Sequence, residues 1–314
     1  MSLAEHVRTL GRGPGRARSL TRDEARHAMD LMLRETAAPE AVGAILMLLR
    51  MKGETADEIA GFAQAAQQGL PELGQPDLDW PCYAAGRTRG LPWFLLSAKL
   101  IAAQGHGVLL HGWNGSDRAV RDGLSRCAIP VTDVACASGV LAEAGIAYLP
   151  LETLSPRLFH LLTRRDVLGL RSCVNTVCRM LNPGQAKASV QGVFHPSYRL
   201  LQTDAAALLG LDEMTVIKGG GGEFERHPSK AIAGFGRRAG AFWEDEFPAL
   251  HADTRRLAQD DHPAEALAAL WSGDLRDAFA EAVVIGTAEL ALATLGHKDA
   301  DTRARALWDA RVIQ

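Results

Sequence analysis

The chain has 314 residues, 47% of them apolar and 23% charged, with a formal net charge of −3. That is the balance of a globular protein with one large core plus a smaller partner domain, and no stretch reaches the roughly 18 uninterrupted apolar residues of a membrane-spanning helix. The small net charge hides a division: residues 155–238 carry twelve Lys or Arg against six acids, and residues 244–314 carry fourteen acids against seven bases.

The first residues, MSLAEHVRTLGRG, lack an apolar leader segment, so no signal peptide is expected. The next stretch, GRGPGRAR, holds Arg12, Arg16 and Arg18 between glycines and a proline and predicts a mobile basic arm. Thr21-Arg22-Asp23-Glu24 and Thr55-Ala56-Asp57-Glu58 are both capping boxes, each starting a helix. Pro39 stands at the first position of a helix that runs to Gly53. Residues 19–70 therefore form three short helices, and LPELGQPDLDWP (70–81), with its three prolines, reads as a linker.

Beyond the linker the periodicity changes. Residues 91–105 are helical. HGVLLHG (106–112) is a short apolar run bounded by glycine, a buried strand with His106 at its start and His111 at its end. A helix, then a helix and strand in GVLAEAGIAYLPL, follow. Residues 155–183 are helical with a break near Gly169. ASVQGVFH is a strand, YRLLQTDAAALLGL a helix, EMTVIKGG a strand, and residues 264–296 are mostly helical. Short apolar strands alternating with helices predict a mainly parallel sheet. The five cysteines, at 82, 127, 136, 173 and 178, form no C-x-x-C pair, which argues against zinc and for reduced thiols in a cytoplasm.

Lys218 and Gly219–Gly222 follow the last of these strands and precede Glu223 and Glu225. The run lacks the G-K-[ST] of a nucleotide loop, so alone it marks only a flexible turn. Together with LHGWN (110–114), LGLRSCVN...LNP (168–183) and HPSYRLL (195–201), however, the chain resembles the anthranilate phosphoribosyltransferase family. The resemblance extends along nearly its whole length and is greatest toward a TrpD-like subgroup that includes YbiB. It implies a helical domain over 1–75, joined in space by part of 155–183, beside an α/β domain over 76–314, with the active-site cleft between them and dimers formed through the helical part.

The family's phosphate and metal motifs are altered. Its glycine turn falls on Cys82–Arg87, where one glycine remains and Arg87 and Arg89 bring guanidinium groups. Its N-x-S-T motif falls on Pro92–Leu95 without a hydroxyl. The adjacent Asp and Glu that hold Mg²⁺ in the family become Gly222 and Glu223. His111, Arg171 and Glu223 are the surviving family positions.

Two functions compete. The first is a catalytically degenerate, nucleic-acid-binding homodimer without cofactor, gripping DNA or RNA backbone through Arg12, Arg16, Arg18, Arg87, Arg89, Arg164, Arg165 and Lys218, with Trp93 and Trp113 stacking on bases or filling an emptied pocket. The alternative is an active phosphoribosyltransferase, on anthranilate or another acceptor, using Mg²⁺ and supported by His111, Arg171 and Glu223. A regulatory protein that docks partners with its acidic tail has no positive signal in the sequence.

Overall fold

Helices α1 (Leu3–Gly11), α2 (Arg22–Leu33), α3 (Pro39–Lys52) and α4 (Ala56–Gln68) build the amino-terminal bundle in the computed structural model, which describes residues 2–13, 15–34, 36–84, 90–252, 254–259 and 262–311. Both capping boxes form: Thr21 and Thr55 accept from the backbone N–H groups of Glu24 and Glu58, and each glutamate takes the threonine's own N–H in return. Glu58 is fully buried and also accepts from Leu20 N at 2.8 Å and Lys52 Nζ at 2.9 Å, so one carboxylate ties three segments together. Helices α2 and α4 touch at Gly61, where an added Cβ would lie 2.2 Å from the Arg22 carbonyl oxygen.

Two expectations change here. Helix α1 was not foreseen, and the arm behind it is a tied turn. Ala17 N donates to Gly13 O at 3.0 Å and Arg18 N to Thr9 O at 3.2 Å. Gly13 and Gly15 supply the positive φ angles that the turn needs. Arg18 makes a bidentate pair with Glu24 at 2.6 and 2.7 Å.

Seven strands form one sheet in the order β3-β2-β1-β4-β5-β6-β7. Strands β1 (Leu78–Cys82), β2 (Val108–Gly112), β3 (Ile146–Pro150), β4 (Ala188–Val193) and β5 (Glu213–Lys218) are parallel. The hairpin β6 (Ile232–Arg238) and β7 (Ala241–Phe247) continues the sheet antiparallel. The parallel majority agrees with the sequence reading, but β1 lies inside the stretch taken as a linker. Pro81 is tolerated because β1 pairs with β2 along its whole length yet with β4 only at Leu78 and Asp79.

On one face, α5 (Phe94–Ala102), α6 (Ala119–Arg126), α13 (Ala266–Ser272), α14 (Ala278–Thr294) and α15 (Ala300–Asp309) pack around Trp80, Leu110 and Ile217. Helix α7 (Ala137–Ala144) precedes β3. The link from β3 to β4 passes back through the helical bundle as α8 (Leu151–Leu154), α9 (Pro156–Thr163), α10 (Arg165–Leu168) and α11 (Val174–Arg179), with Gly169 at φ 70° ending α10. Helix α9 packs on α2, and both α11 and α12 (Tyr198–Leu209) pack on α4. The second core is thus continuous from the bundle to the sheet. None of the helices among the described residues is long and apolar enough to cross a membrane.

Candidate functional site

A cleft of about 670 Å³ opens where the bundle meets the carboxyl ends of the strands, the edge at which open α/β sheets bind ligands. Arg50 comes from the last turn of α3, Arg165 and Asp166 from α10, Arg171 from the loop behind it, and Asn175 and Arg179 from α11. The sheet side contributes Ala84, Val193, Phe194 and Gly221, and α12 contributes Tyr198 and Gln202. Four arginines and one carboxylate among these lining residues make the cleft strongly basic, despite the net negative chain. Arg179 is its buried floor: its guanidinium donates to Gly192 O at 3.1 Å and to Asn175, and burial lowers its pKa, with Glu223 opposing that shift. The Arg165 guanidinium lies 5.6 Å from the centre of the Trp113 ring, which itself packs edge-on against Phe159. Tyr198 donates its hydroxyl to Glu54 at 3.2 Å.

The glycine run bordering this cleft closes on itself. Gly219 N donates to Val193 O, Gly220 N to Glu225 O, Gly222 N to Gly219 O and Glu223 N to Gly220 O. Those N–H groups are therefore engaged within the protein, unlike the open amides of a phosphate-binding loop. Glycine is needed for fit: a Cβ on Gly192 would lie 2.0 Å from the Glu223 backbone, and Gly222 has φ 100°.

The two carboxylates behind the run point inward. Glu223 Oε1 accepts from Ala84 N at 2.9 Å and Asn114 Nδ2 at 2.8 Å. Glu225 Oε2 accepts from Phe94 N at 3.0 Å, at the start of α5, so the protein's own carboxylate sits where a helix N-terminus would otherwise attract an anion. No group of three or more His, Cys, Asp or Glu among the described residues is placed to hold a metal ion.

The sequence-predicted residues separate in space. Arg165 and Arg171 line the cleft. Arg164 turns away and pairs with His160 at 2.7 Å. Lys218 is exposed at the end of β5, in register with the cleft residue Val193. Arg12 and Arg16 are exposed on the turn between α1 and α2, outside the cleft lining. Arg87 and Arg89 lie outside the described residues. His111 is fully buried, bonded to Tyr83 Oη at 2.8 Å and Asp79 Oδ1 at 3.0 Å, and Asp79 in turn accepts from Ser189 at 2.7 Å. It organises β1, β2 and β4 from within the sheet. Trp93, 1% exposed, is a core residue at the start of α5. Arg50, Asn175, Arg179 and Tyr198 were not anticipated as site residues. Asn175 and Arg179 fall inside the LGLRSCVN...LNP anchor, whereas Arg50 reads in the sequence only as a base near a helix C-terminus.

Residues 4–68 match the family model described as the glycosyl transferase family, helical bundle domain. An anthranilate phosphoribosyltransferase of Rhizobium rhizogenes is 29% identical over 293 residues, 86% of each chain. An uncharacterised protein of Aquifex aeolicus is 27% identical over 213 residues, 67% of this chain and 66% of that protein. An anthranilate phosphoribosyltransferase of Xanthobacter autotrophicus is 28% identical over 209 residues, but the match spans only 61% of that enzyme. The fold superposes on the anthranilate phosphoribosyltransferase (TrpD) of Thermus thermophilus with a TM-score of 0.82 at 21% identity, covering 100% of this chain and 95% of that one. The Saccharomyces cerevisiae enzyme in complex with PRPP and Mg gives 0.79 at 14% identity, over 98% and 93% of the two chains.

Residues 4–68 thus resemble the helical bundle domain of the glycosyl transferase family, and the chain as a whole is similar to the anthranilate phosphoribosyltransferases. Within that family these relatives do not single out the YbiB-like subgroup. Where the resemblance puts the N-x-S-T motif, this chain buries Trp93 and Phe94, and Glu225 accepts from Phe94 N. At the position that the resemblance gives to the metal carboxylates stand Gly222 and Glu223, and Glu223 accepts from Ala84 N and Asn114 Nδ2. The residues present do not fit a two-carboxylate Mg²⁺ corner.

Proposed function

We propose that this chain is a phosphoribosyltransferase-type protein whose cleft binds a phosphate-bearing ligand through guanidinium groups, in place of glycine-loop amides and a carboxylate-held metal. The observation that carries this reading is the convergence of Arg50, Arg165, Arg171 and Arg179 on a cleft with one facing carboxylate. Guanidinium groups match phosphate geometry and stay charged at all physiological pH values. The relation to transferases, one of them solved with PRPP and Mg, makes a phosphoribosyl donor the first ligand class to test. Arg165, stacked on Trp113, would neutralise phosphate at the mouth, and Arg50 would close it from the bundle side. Arg171 matches, by the family resemblance, the Arg that contacts anthranilate. A cytoplasmic setting fits the five unpaired thiols, four of them buried.

The test is equilibrium binding of phosphoribosyl pyrophosphate to the wild type and to Arg165→Ala, run beside pyrophosphate release with anthranilate as acceptor. Loss of one charge-assisted contact, worth about 1.5–3 kcal/mol, predicts binding at least about tenfold weaker in the variant. Equal binding by both proteins would remove Arg165 from the site.

A second reading, nucleic-acid binding by a homodimer, is favoured by the exposure of Arg50 at the cleft and of Arg12, Arg16 and Lys218 beyond it. It requires salt-sensitive affinity for DNA or RNA, log affinity falling by about 0.7–0.9 per phosphate contact for each unit of log salt. Salt-insensitive or absent binding would end that reading.

A further inference from the structure

A second cleft, of about 740 Å³, lies toward the opposite end of the sheet, between the end of α4, the segment after α11 and the start of β5. Its character is the reverse of the first. Glu72, Asp212 and Glu213 face one base, Lys187. Among the lining residues is Gln191 of β4, 1% exposed. Its Nε2 donates to Arg179 O at 2.8 Å and to Ser189 Oγ at 3.3 Å. These two bonds fix the orientation of the amide, and they leave Oε1 buried without a hydrogen-bond partner. Buried carbonyl oxygens of this kind are rarely left unsatisfied, so this one calls for a donor from the cleft.

We infer that this second cleft binds a small organic cation of the amine class, with an N–H donor on Gln191 Oε1 and its positive charge between Asp212 and Glu72. A carboxamide oxygen accepts and does not donate, and the two exposed carboxylates favour a cation over an anion. Part of the wall is rigid, since the Asn182 side chain bonds both the N–H and the carbonyl of Ala186 at 2.8 Å. The same Arg179 whose guanidinium lines the basic cleft offers its carbonyl to Gln191, so one residue stands between the two sites. This inference does not depend on the ligand of the first cleft.

Calorimetric titration of the full chain with spermidine tests it, with triethylene glycol as a neutral chain of similar length. The expected result is saturable one-to-one binding of spermidine and none of the glycol. Gln191→Leu should weaken it at least tenfold. The rim variant Glu72→Gln/Asp212→Asn, altered only at exposed side chains, should weaken it comparably and decides the matter if Gln191→Leu fails to fold. Absence of saturable binding would mean that Oε1 is met by water and would overturn the inference. Wild-type affinity in either folded variant would overturn it equally, placing spermidine on some other acidic surface such as β7.

Discussion

At the scale of single residues, neighbours in sequence part company in space. Arg164 and Arg165 look like one basic pair in the sequence, yet a helical step sends Arg164 to His160 and Arg165 into the cleft. Arg164→Ala should therefore change ligand affinity less than about twofold, while Arg165→Ala loses about tenfold or more, a contrast that equilibrium titration resolves. His6, on α1, is 1% exposed and contacts His27 at 2.9 Å. Burial first, and His27 second, hold His6 below its ordinary pKa of 6.5, while Glu24 and Glu5 pull the other way. The folded state thus binds fewer protons there than the unfolded chain does. The associated stability is complete above pH 6.5 and is lost as pH falls through the lowered value. His227 and His297 are shifted in the same direction, so His6→Phe should reduce, not abolish, the fall in urea midpoint between pH 7.5 and 5.5. An unchanged pH dependence would contradict this assignment. None of this was legible beforehand, because burial of His6 follows from α1 docking on the bundle, and a lone His in a sequence carries no sign of its neighbours.

At the scale of elements, the readable features were those set by local chemistry. Both capping boxes, the proline-led α3, the break at Gly169 and the alternation of strands with helices all stood in the sequence, because caps and periodicity act within a turn or two. Strand β1 was not legible, since Pro81 signals a break and only the one-sided pairing with β4 permits it. The glycine run showed a turn but not its closure, which depends on Gly192 of the neighbouring strand. Close helix contact gives the prediction at this scale. Gly61→Ala places a methyl against the Arg22 carbonyl and the Ala25 side chain, forcing α2 and α4 apart. Overpacking of this kind costs about 1–3 kcal/mol, to be read as a lower urea midpoint with an unchanged slope. Wild-type stability would show that α2 shifts freely.

At the scale of the whole molecule, the two-part fold with a cleft between its parts was legible through the family resemblance, and the superposition on transferase structures bears it out. The make-up of the cleft was only half legible. Arg171 and Arg165 were singled out, but Arg50 reaches the site by the docking of α3 and could not be placed from sequence. The exposed apolar residues Met51, at 82%, Val167, at 79%, and Leu170, at 49%, lie at the end of α3 and around α10. If a dimer forms through the helical part, these residues are its contacts. Sedimentation should then show a dimer at micromolar concentration for the wild type and a monomer for Met51→Glu/Val167→Glu, and a monomeric wild type would refute it.

The proposed site grips the phosphate of its ligand with guanidinium groups and not with a carboxylate-held metal. Its most direct test is the affinity for phosphoribosyl pyrophosphate measured with Mg²⁺ and again with a chelator. A guanidinium grip predicts saturable binding in both conditions, the two dissociation constants agreeing within about threefold, a difference of less than 1 kcal/mol. Binding that appears only when Mg²⁺ is present, or no binding in either condition, would contradict it.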